Sequence, residues 1–256
     1  MKHYEALVNM GSFTRHDLIR LTGSDAAAHS LVYSYLKRGL IQRVRRDLYA
    51  AVSLETKQPV PNRFAIGSHV SSDACISHHS AFAYYGYANQ VFYDIYVASS
   101  SRFRDFEFGG YRYNYVRNDL ASGIASHSNG VRVTDMERTV VDSINDFEKI
   151  GGLEELLRCL ELIPHLNADR LLSYLEERGI GFLWQKTGYI LEHFREALIL
   201  PERFFEECLR NLPGGKRYLY KGFPAGRTVF NSVWQMYVPA ELALITSQGV
   251  DDDAYL

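Results

Sequence analysis

The 256-residue sequence predicts an α+β protein in two parts, a small basic head followed by a larger body of mixed helices and strands. Its 46% hydrophobic and 23% charged residues are typical of a globular protein. Residues 1–52 contain eight basic and four acidic side chains, whereas acidic side chains are in excess afterwards. Residues 53–62 contain two prolines and few bulky apolar residues, as linkers do. We therefore expect a head over residues 1–55 and a body over residues 63–256.

Two helices separated by a tight turn are predicted in the head. Thr14 and Asp17 have the spacing of a capping box, and the helix that they open should end near Gly23. Ser24 can cap the second helix, in which apolar residues recur at helical spacing as far as Leu36. The sequence therefore predicts a helix-turn-helix.

A hairpin is predicted directly after the second helix. Residues 40–44 and 48–52 have the composition of strands, and the short turn at 45–47 carries two arginines. A helix-turn-helix followed by a basic hairpin is the arrangement of a winged helix. The predicted fold is thus an N-terminal winged helix-turn-helix followed by a larger helix-and-strand domain.

This arrangement predicts binding to double-stranded DNA, because a helix fits the major groove and an arginine-tipped hairpin can follow phosphates. The expected DNA-binding side chains are His29, Ser30, Tyr33, Ser34, Lys37, Arg43, Arg45 and Arg46. The first three are the candidates for contacts with base edges. Winged helices also bind proteins, and Asp25 near the start of the second helix is unfavourable beside DNA. Clustering of the arginines at the hairpin favours DNA.

The first half of the body predicts a sheet rich in aromatic residues. Residues 82–115 are dense in Tyr and Phe, which suits strands over a core. Residues 106–113 predict a hairpin with a Gly-Gly turn that pairs Phe106 with Tyr113 on one face and Glu107 with Arg112, as an exposed ion pair, on the other. A stacking platform for single-stranded nucleic acid is the alternative, but few basic residues accompany the rings.

Helices follow in the second half of the body. Thr134 and Glu137 predict a capping box that opens a helix. The expected helices cover residues 134–147, 153–163, 167–178, 189–198 and 201–212. An acidic, solvated outer face is predicted from Glu154, Glu155, Glu161, Glu176 and Glu177.

A second basic patch is predicted near the C-terminus, where no acidic residue occurs between positions 208 and 228. Its members are Arg210, Lys216, Arg217, Lys221 and Arg227. Interleaved tyrosines and a phenylalanine would allow it to bind phosphate, RNA or an acidic protein face. An exposed hairpin with ordinary surface lysines explains the same pattern equally well.

Enzyme, metal and cofactor sites are not expected. The sequence contains none of the common phosphate-binding, zinc-protease or serine-hydrolase motifs. His78 and His79 lack a third ligand at metal spacing, and we expect a capped helix start with partly buried histidines. A nuclease would require clustered carboxylates with a lysine, and Asp94, Asp105 and Glu107 lack that lysine.

Location is predicted from what the chain does not contain. Residues 1–5 are polar, and no apolar run approaches the length of about 18 residues that a membrane span needs. The three cysteines, Cys75, Cys159 and Cys208, are far apart and are expected to be buried thiols. We expect a cytoplasmic protein without a membrane partner.

Four segments resemble the AbiE-type (AbiEi) abortive-infection antitoxins, which are also transcriptional regulators. They are YLKRGLIQRVRRDLYA at 35–50, SHHSAFAYYG at 77–86, VRVTDMERTVVD at 131–142 and GGLEE at 151–155, in the same order as in that family. The resemblance spans most of residues 14–200. One departure is Asp47, where relatives usually have glycine. Because Asp tolerates the left-handed region, the turn can still form, although its charge lies beside the arginines.

The resemblance implies a role in a type IV toxin-antitoxin system for phage defence. It implies that the head binds inverted repeats upstream of its own operon and represses it. It also implies that the body opposes a co-encoded nucleotidyltransferase-like toxin without forming a stable complex with it. The alternative is a stand-alone winged-helix repressor whose body senses a ligand.

Overall fold

The structure is a computed structural model that describes residues 2–128, 130–220, 227–240 and 242. Within these residues the chain forms a mixed α+β fold with ten α-helices and three β-sheets. The helices are α1 (Tyr4–Met10), α2 (Arg15–Thr22), α3 (Asp25–Lys37), α4 (Arg63–Ser68), α5 (His78–Tyr85), α6 (Met136–Asn145), α7 (Leu153–Glu161), α8 (Ala168–Arg178), α9 (Gly181–Glu192) and α10 (Glu202–Arg210). Every described helix is too short or too polar to cross a lipid bilayer.

The twelve described strands form one sheet in the head and two in the body. They are β1 (Ser12–Thr14), β2 (Ile41–Arg45), β3 (Leu48–Ala51), β4 (Cys75–Ile76), β5 (Asp94–Ser99), β6 (Phe106–Phe108), β7 (Tyr111–Arg117), β8 (Ile124–Ser126), β9 (Arg132–Thr134), β10 (Arg217–Tyr218), β11 (Thr228–Asn231) and β12 (Met236–Pro239). The sheet orders are β1-β3-β2, β6-β7-β5-β4-β9-β8 and β10-β12-β11. In the central sheet β5 runs parallel to β7 and β4 runs parallel to β9.

Head and body share buried apolar contacts. Val44, Leu48 and Ala50 of the head hairpin belong to one hydrophobic cluster with Phe64 and Phe103 of the body. The segment expected to be a linker also folds back on the head, since the amide of Val60 donates to the carbonyl of Ala51 at 2.8 Å. The head is therefore packed against the central sheet.

The predicted aromatic hairpin is confirmed. Phe106 pairs with Tyr113 across β6 and β7, and their rings stack with centroids 4.7 Å apart. Glu107 lies opposite Arg112 in the register, but the predicted ion pair is wrong, because Arg112 lies 3.8 Å from the carboxylate of Asp105. Turn geometry fixed the backbone register, whereas the choice between two nearby carboxylates depended on side-chain direction.

Helix α6 starts differently from the prediction. Asp135, not Thr134, is the capping residue, and its carboxylate accepts a hydrogen bond from the amide of Arg138 at 2.9 Å. Glu137 accepts from the amide of Asn167 at 3.0 Å and so joins the start of α6 to the start of α8. Nearly all of α6, from Glu137 to Ile144, is buried.

A buried ionic network surrounds Arg138, whose side chain is 1% exposed. Its guanidinium donates to Asp142 at 3.4 Å, to Asn118 at 2.6 Å and to the carbonyls of Leu120 and Ser122. Arg178 on α8 also pairs with Asp142. One guanidinium thus joins α6 to the loop between β7 and β8, and the shared carboxylate joins it to α8.

Glu155 was predicted on an acidic outer face, and that prediction is wrong, because only 2% of the residue is exposed. The carboxylate accepts from the amides of Asn89 at 3.1 Å and Gln90 at 2.9 Å and lies 3.2 Å from His79 Nε2. Burial alone would raise the pKa of Glu155, but the hydrogen bonds from Asn89 and Gln90 hold it below its usual value. Glu155 therefore fixes the loop after α5.

Helices α7 and α8 confirm the predictions for residues 153–163 and 167–178, including the cap formed by Asn167. The helix predicted at 189–198 is instead α9, which begins eight residues earlier at Gly181. No side chain caps its start. Because the helix is buried on most sides, its sequence also lacks the amphipathic period by which a helix start is recognised. Trp234 packs so closely on Gly188 that a Cβ there would lie 2.2 Å from its ring.

Replacing Arg138 with methionine tests the buried network. The variant removes the donor to two loop carbonyls and leaves Asn118 Oδ1 with only the amide of Leu120, and Asp142 loses one of its two cations. Because breaking a buried charged network is costly, we expect the free energy of unfolding to fall by about 3–5 kcal/mol, measured by urea denaturation. The control is Arg158→Met in the exposed pair with Glu161, which should cost less than about 1 kcal/mol. Equal losses in the two variants would contradict this account.

Candidate nucleic-acid interface

Helix α3 presents a polar face that no other described part of the chain covers. Ser24 caps it by accepting from the amide of Ala27 at 3.2 Å, and it buries Ala28, Val32 and Tyr35 in the head core. The predicted contact residues on the opposite face are all exposed: His29, Ser30, Tyr33, Ser34 and Lys37. Tyr33 is 67% exposed, an unusual position for a large aromatic side chain. The face is therefore accessible to a partner.

Helix α2 packs in front of α3 as the sequence predicts. The capping box is confirmed, since Asp17 accepts from the amide of Thr14 at 2.8 Å and Thr14 accepts from the amide of Asp17 at 3.2 Å. Arg15 donates twice to Asp25, at 2.9 and 2.7 Å. This bidentate pair offsets the negative charge that made the start of α3 unfavourable beside DNA.

The hairpin of β2 and β3 ends in a two-residue turn at Arg46 and Asp47. Asp47 has a φ of 59°, in the left-handed region where glycine is preferred, so the prediction that Asp can form this turn is confirmed. The side chain of Arg46 is 94% exposed and lies 3.6 Å from the Asp47 carboxylate. An exposed arginine at a hairpin tip can reach a phosphate.

Arg45 differs from Arg46. Its guanidinium lies over the rings of Phe103 and Phe106 in the body, 5.4 and 5.3 Å from their centroids. Burial lowers the pKa of Arg45, and its Nη1 atom has no hydrogen-bond partner among the described residues. Arg45 thus contacts the body rather than extending freely from the turn.

A β-bulge explains this orientation. Arg43 pairs with Tyr49 and Arg45 pairs with Leu48, so the register shifts between the two arginines. Bulges redirect side chains and interrupt strict alternation. Arg43 stays exposed, with its guanidinium 5.8 Å from the centroid of the Tyr49 ring. The sequence analysis did not predict that Arg45 packs on Phe103 and Phe106. The only signal was the high proportion of aromatic residues in this part of the chain, which indicated a packing role.

Basic residues of the body lie next to the hairpin. Arg102 and Arg104 flank Phe103, which contacts Arg45, and both are exposed. Neither forms an ion pair with any residue that the structure describes. Two exposed arginines of the body therefore flank, in sequence, a ring on which Arg45 of the hairpin rests.

A cleft of about 480 Å³ lies between the head and the body, bordered by the start of α2, the hairpin turn and residues 69–70. Ser12 Oγ and His69 Nδ1 lie 2.8 Å apart and join head to body beside it. The amide of Arg15 donates to the carbonyl of Asp47 at 3.1 Å and joins α2 to the turn. These contacts hold the hairpin in a defined position relative to α3.

The described members of the second basic patch are all exposed, and several of them also contact neighbouring side chains. Arg210 is paired with Glu206 and Glu207 on its own helix. Lys216 lies 4.8 Å from the ring of Phe230, and Arg217 lies 5.3 Å from that of Phe182. Arg227 is exposed just before β11, and Lys221 lies outside the described residues.

Most of the side chains considered for catalysis or metal binding take part in contacts within the fold, although these do not use every acceptor of Asp94. His78 and His79 begin α5 and are buried, with burial lowering the pKa of both. Asp94 accepts from Asn114 at 2.7 Å and Asp105 accepts from the amide of Tyr115 at 2.9 Å. Over the described ranges, His, Cys, Asp and Glu form no group of three that could hold a metal ion. The three cysteines are buried thiols, as predicted.

Comparison with known proteins gives a likeness of fold. No family model matches the chain, and no curated protein matches it. The crystal structure of the RV2827C protein from Mycobacterium tuberculosis is similar, with a TM-score of 0.60 and 14% sequence identity over 93% of this chain and 89% of that one. The two chains therefore share a fold over nearly their whole lengths.

The two turn arginines should differ in their effect on stability. We expect Arg45→Ala to lower the free energy of unfolding by about 1–2 kcal/mol, because it removes a partly buried cation–π contact and side-chain packing. Arg46→Ala should change it by no more than about 0.5 kcal/mol, because the side chain contacts little protein. Urea denaturation of both variants measures the difference. Equal stabilities would mean that Arg45 does not join head and body.

Proposed function

We propose that the head is a winged helix that binds double-stranded operator DNA. In this proposal α2 and α3 are the helix-turn-helix, and the β2–β3 hairpin is the wing. The observation that carries it is the uncovered polar face of α3 beside the exposed Arg46.

The geometry supports different contacts for different side chains, some with base edges and others with phosphates. The major groove, about 12 Å wide, admits one α-helix, and α3 has 13 residues. His29, Ser30 and Tyr33 would face base edges, while Lys37 and Arg46 would contact phosphates. Ser34 would add to the contacts with base edges, and Arg43 would add to the contacts with phosphates.

Arg45 has a different role in this proposal. Because its guanidinium rests on Phe103 and Phe106, it would position the wing against the body rather than bind phosphate. Arg102 and Arg104 would then lengthen the phosphate-binding surface. Binding at inverted repeats upstream of the chain's own operon would repress that operon.

DNA binding can be measured by fluorescence anisotropy with the upstream region of the operon. Arg46→Ala should weaken binding to operator and unrelated duplexes alike, and it should reduce the slope of log affinity against log salt by roughly 0.9, the value for one lost phosphate contact. Tyr33→Ala should instead reduce the preference for the operator by about 1–3 kcal/mol.

The matched control is Arg158→Ala, which removes one exposed positive charge from α7 in the body. It should leave both affinity and salt slope unchanged. If Arg46→Ala and wild type bind equally at every salt concentration, the wing does not contact DNA.

We further propose that the body acts as the antitoxin of a type IV system in the cytoplasm, opposing a co-encoded nucleotidyltransferase-like toxin without a stable complex and without enzymatic activity of its own. This rests on the resemblance of residues 35–50, 77–86, 131–142 and 151–155 to the AbiE-type antitoxins. Residues 131–142 include Asp135, Arg138 and Asp142, whose contacts hold the body together. A resemblance in these segments supports a shared body architecture.

Growth rescue separates the two roles. The neighbouring gene is induced while wild-type protein or the Arg46→Ala variant is expressed from an unrelated promoter. Both proteins should restore growth, because neutralisation is assigned to the body and the variant is impaired only in the head. Rescue by wild type alone would make DNA binding part of neutralisation. A harmless neighbour, or no rescue by either protein, would contradict the antitoxin proposal.

The alternative is a stand-alone repressor whose body senses a ligand. A specific observation favours it, namely a cavity of about 160 Å³ in the body between α5 and β5. Absence of a nucleotidyltransferase gene beside this one would favour that alternative.

A further inference from the structure

The cavity in the body is partly open to solvent and is bordered mainly by three parts of the chain. Its walls are α5, the loop at residues 86–92 and the first residues of β5. Arg63, at the start of α4, also lines the cavity. An apolar cavity of about 150 Å³ can hold a molecule of the size of benzene. At about 160 Å³, this cavity has room for a small metabolite.

Arg63 supplies a cation that forms no ion pair with a residue that the structure describes. Its Nη1 atom donates to the Tyr111 hydroxyl at 2.9 Å, and the guanidinium lies 4.6 Å from the centroid of the Phe64 ring. Its Nε atom is buried and has no hydrogen-bond partner among the described residues. A partly buried guanidinium held by aromatic rings and lacking a carboxylate is suited to bind an anionic group.

Asp94 supplies the opposite charge in the same cavity. Its carboxylate accepts a hydrogen bond from Asn114 at 2.7 Å and forms no ion pair with a described residue. Arg112 is its register partner on β7, but Arg112 is directed to Asp105. The carboxylate of Asp94 is therefore free to accept hydrogen bonds from an ammonium group.

The remaining lining combines apolar side chains with the polar residues His79, Ser80 and Gln90. Ala83, Ala88, Phe92 and Ile95 contribute side chains without charge, and the two alanines leave space for a short hydrocarbon group. The phenyl ring of Phe92 stacks on the His79 imidazole with centroids 3.9 Å apart, so this wall is rigid. His79 is directed through Nε2 to Glu155, and burial lowers its pKa.

We propose that this cavity binds a small zwitterion, an aliphatic α-amino acid. Arg63 binds the carboxylate, Asp94 binds the ammonium group, and the alanine-lined wall accepts the side chain. A few polar groups that fix orientation within an apolar lining are the usual composition of a small-molecule site. This proposal is independent of DNA binding and of toxin neutralisation, because it concerns other residues.

Isothermal titration calorimetry on the full-length protein tests the ligand class with matched compounds. The probes are L-valine, isovalerate, which lacks the ammonium group, and isobutylamine, which lacks the carboxylate. L-alanine and L-leucine vary the side chain. We expect at least one of the three amino acids to bind, and each single-charge analogue of valine to bind at least tenfold more weakly than valine.

Variants test the assigned residues. Arg63→Gln and Asp94→Asn should each weaken amino-acid binding at least tenfold. Ala83→Leu keeps both charges but fills the cavity, and it should abolish binding. Arg158→Ala, at an exposed arginine on α7 that does not line the cavity, is the matched control and should bind as wild type. Thermal unfolding of each variant separates a lost site from a lost fold.

Three results would overturn the proposal. The first is no binding of any of the three amino acids to folded wild-type protein at millimolar concentration. The second is unchanged affinity in folded Arg63→Gln, Asp94→Asn or Ala83→Leu. The third is binding of isovalerate at least as tight as that of valine, which would make the cavity a simple carboxylate site.

Discussion

The buried guanidinium of Arg138 joins parts of the body that apolar packing alone would leave free to slide. Taking a charge out of water costs several kcal/mol unless partners compensate it. Here each of the three guanidinium nitrogen atoms donates a hydrogen bond, to Asp142, to Asn118 or to two loop carbonyls. These bonds fix the position of the loop between β7 and β8 relative to α6. Because Asp142 is shared with Arg178, the same contact sets the position of α8. Helix α6 in turn packs on α5, which forms a wall of the cavity.

A second constraint fixes the head. The bulge in β2 turns Arg45 onto Phe103 and Phe106, while Val44 and Leu48 join the apolar cluster of the central sheet. The hairpin that would be the wing therefore has a buried side and an exposed side. A protein that binds DNA through such a hairpin presents the body to the duplex in one orientation, which decides whether residues such as Arg104 come close to phosphates.

Local rules predicted the elements whose signals are local. The cap at Thr14, the cap at Asn167 and the Phe106–Tyr113 register follow from neighbouring residues, and the structure contains all three. The signals failed where the partner is distant in sequence. Glu155 lies in a sequence pattern typical of a solvent-exposed helix face. Its hydrogen-bond donors, however, are the amides of residues 89–90, more than sixty positions earlier in the chain.

The candidate interface shows the same limit. An exposed face on α3 followed from helical periodicity, because the apolar residues on the other side account for the head core. Helical periodicity could not show that Arg45 and Arg46 have different environments, since two adjacent arginines in a predicted turn look alike in the sequence. A bulge and a pair of rings some sixty residues away decide which of the two is exposed. The cavity could not be predicted from the sequence either, because Arg63 and Asp94 line one cavity only after α4 packs on the central sheet.

A short series of contacts links the cavity to the hairpin. The Tyr113 hydroxyl donates to the carbonyl of Arg63 at 3.2 Å, its ring stacks on Phe106, and Phe106 lies under Arg45. Contact alone does not couple two sites, because a ligand shifts an equilibrium only by its different affinities for two states. If the hairpin has two arrangements and the cavity discriminates between them, the coupling must be reciprocal. DNA on the head would then change the affinity for an amino acid in the body by the same factor by which the amino acid changes the affinity for DNA.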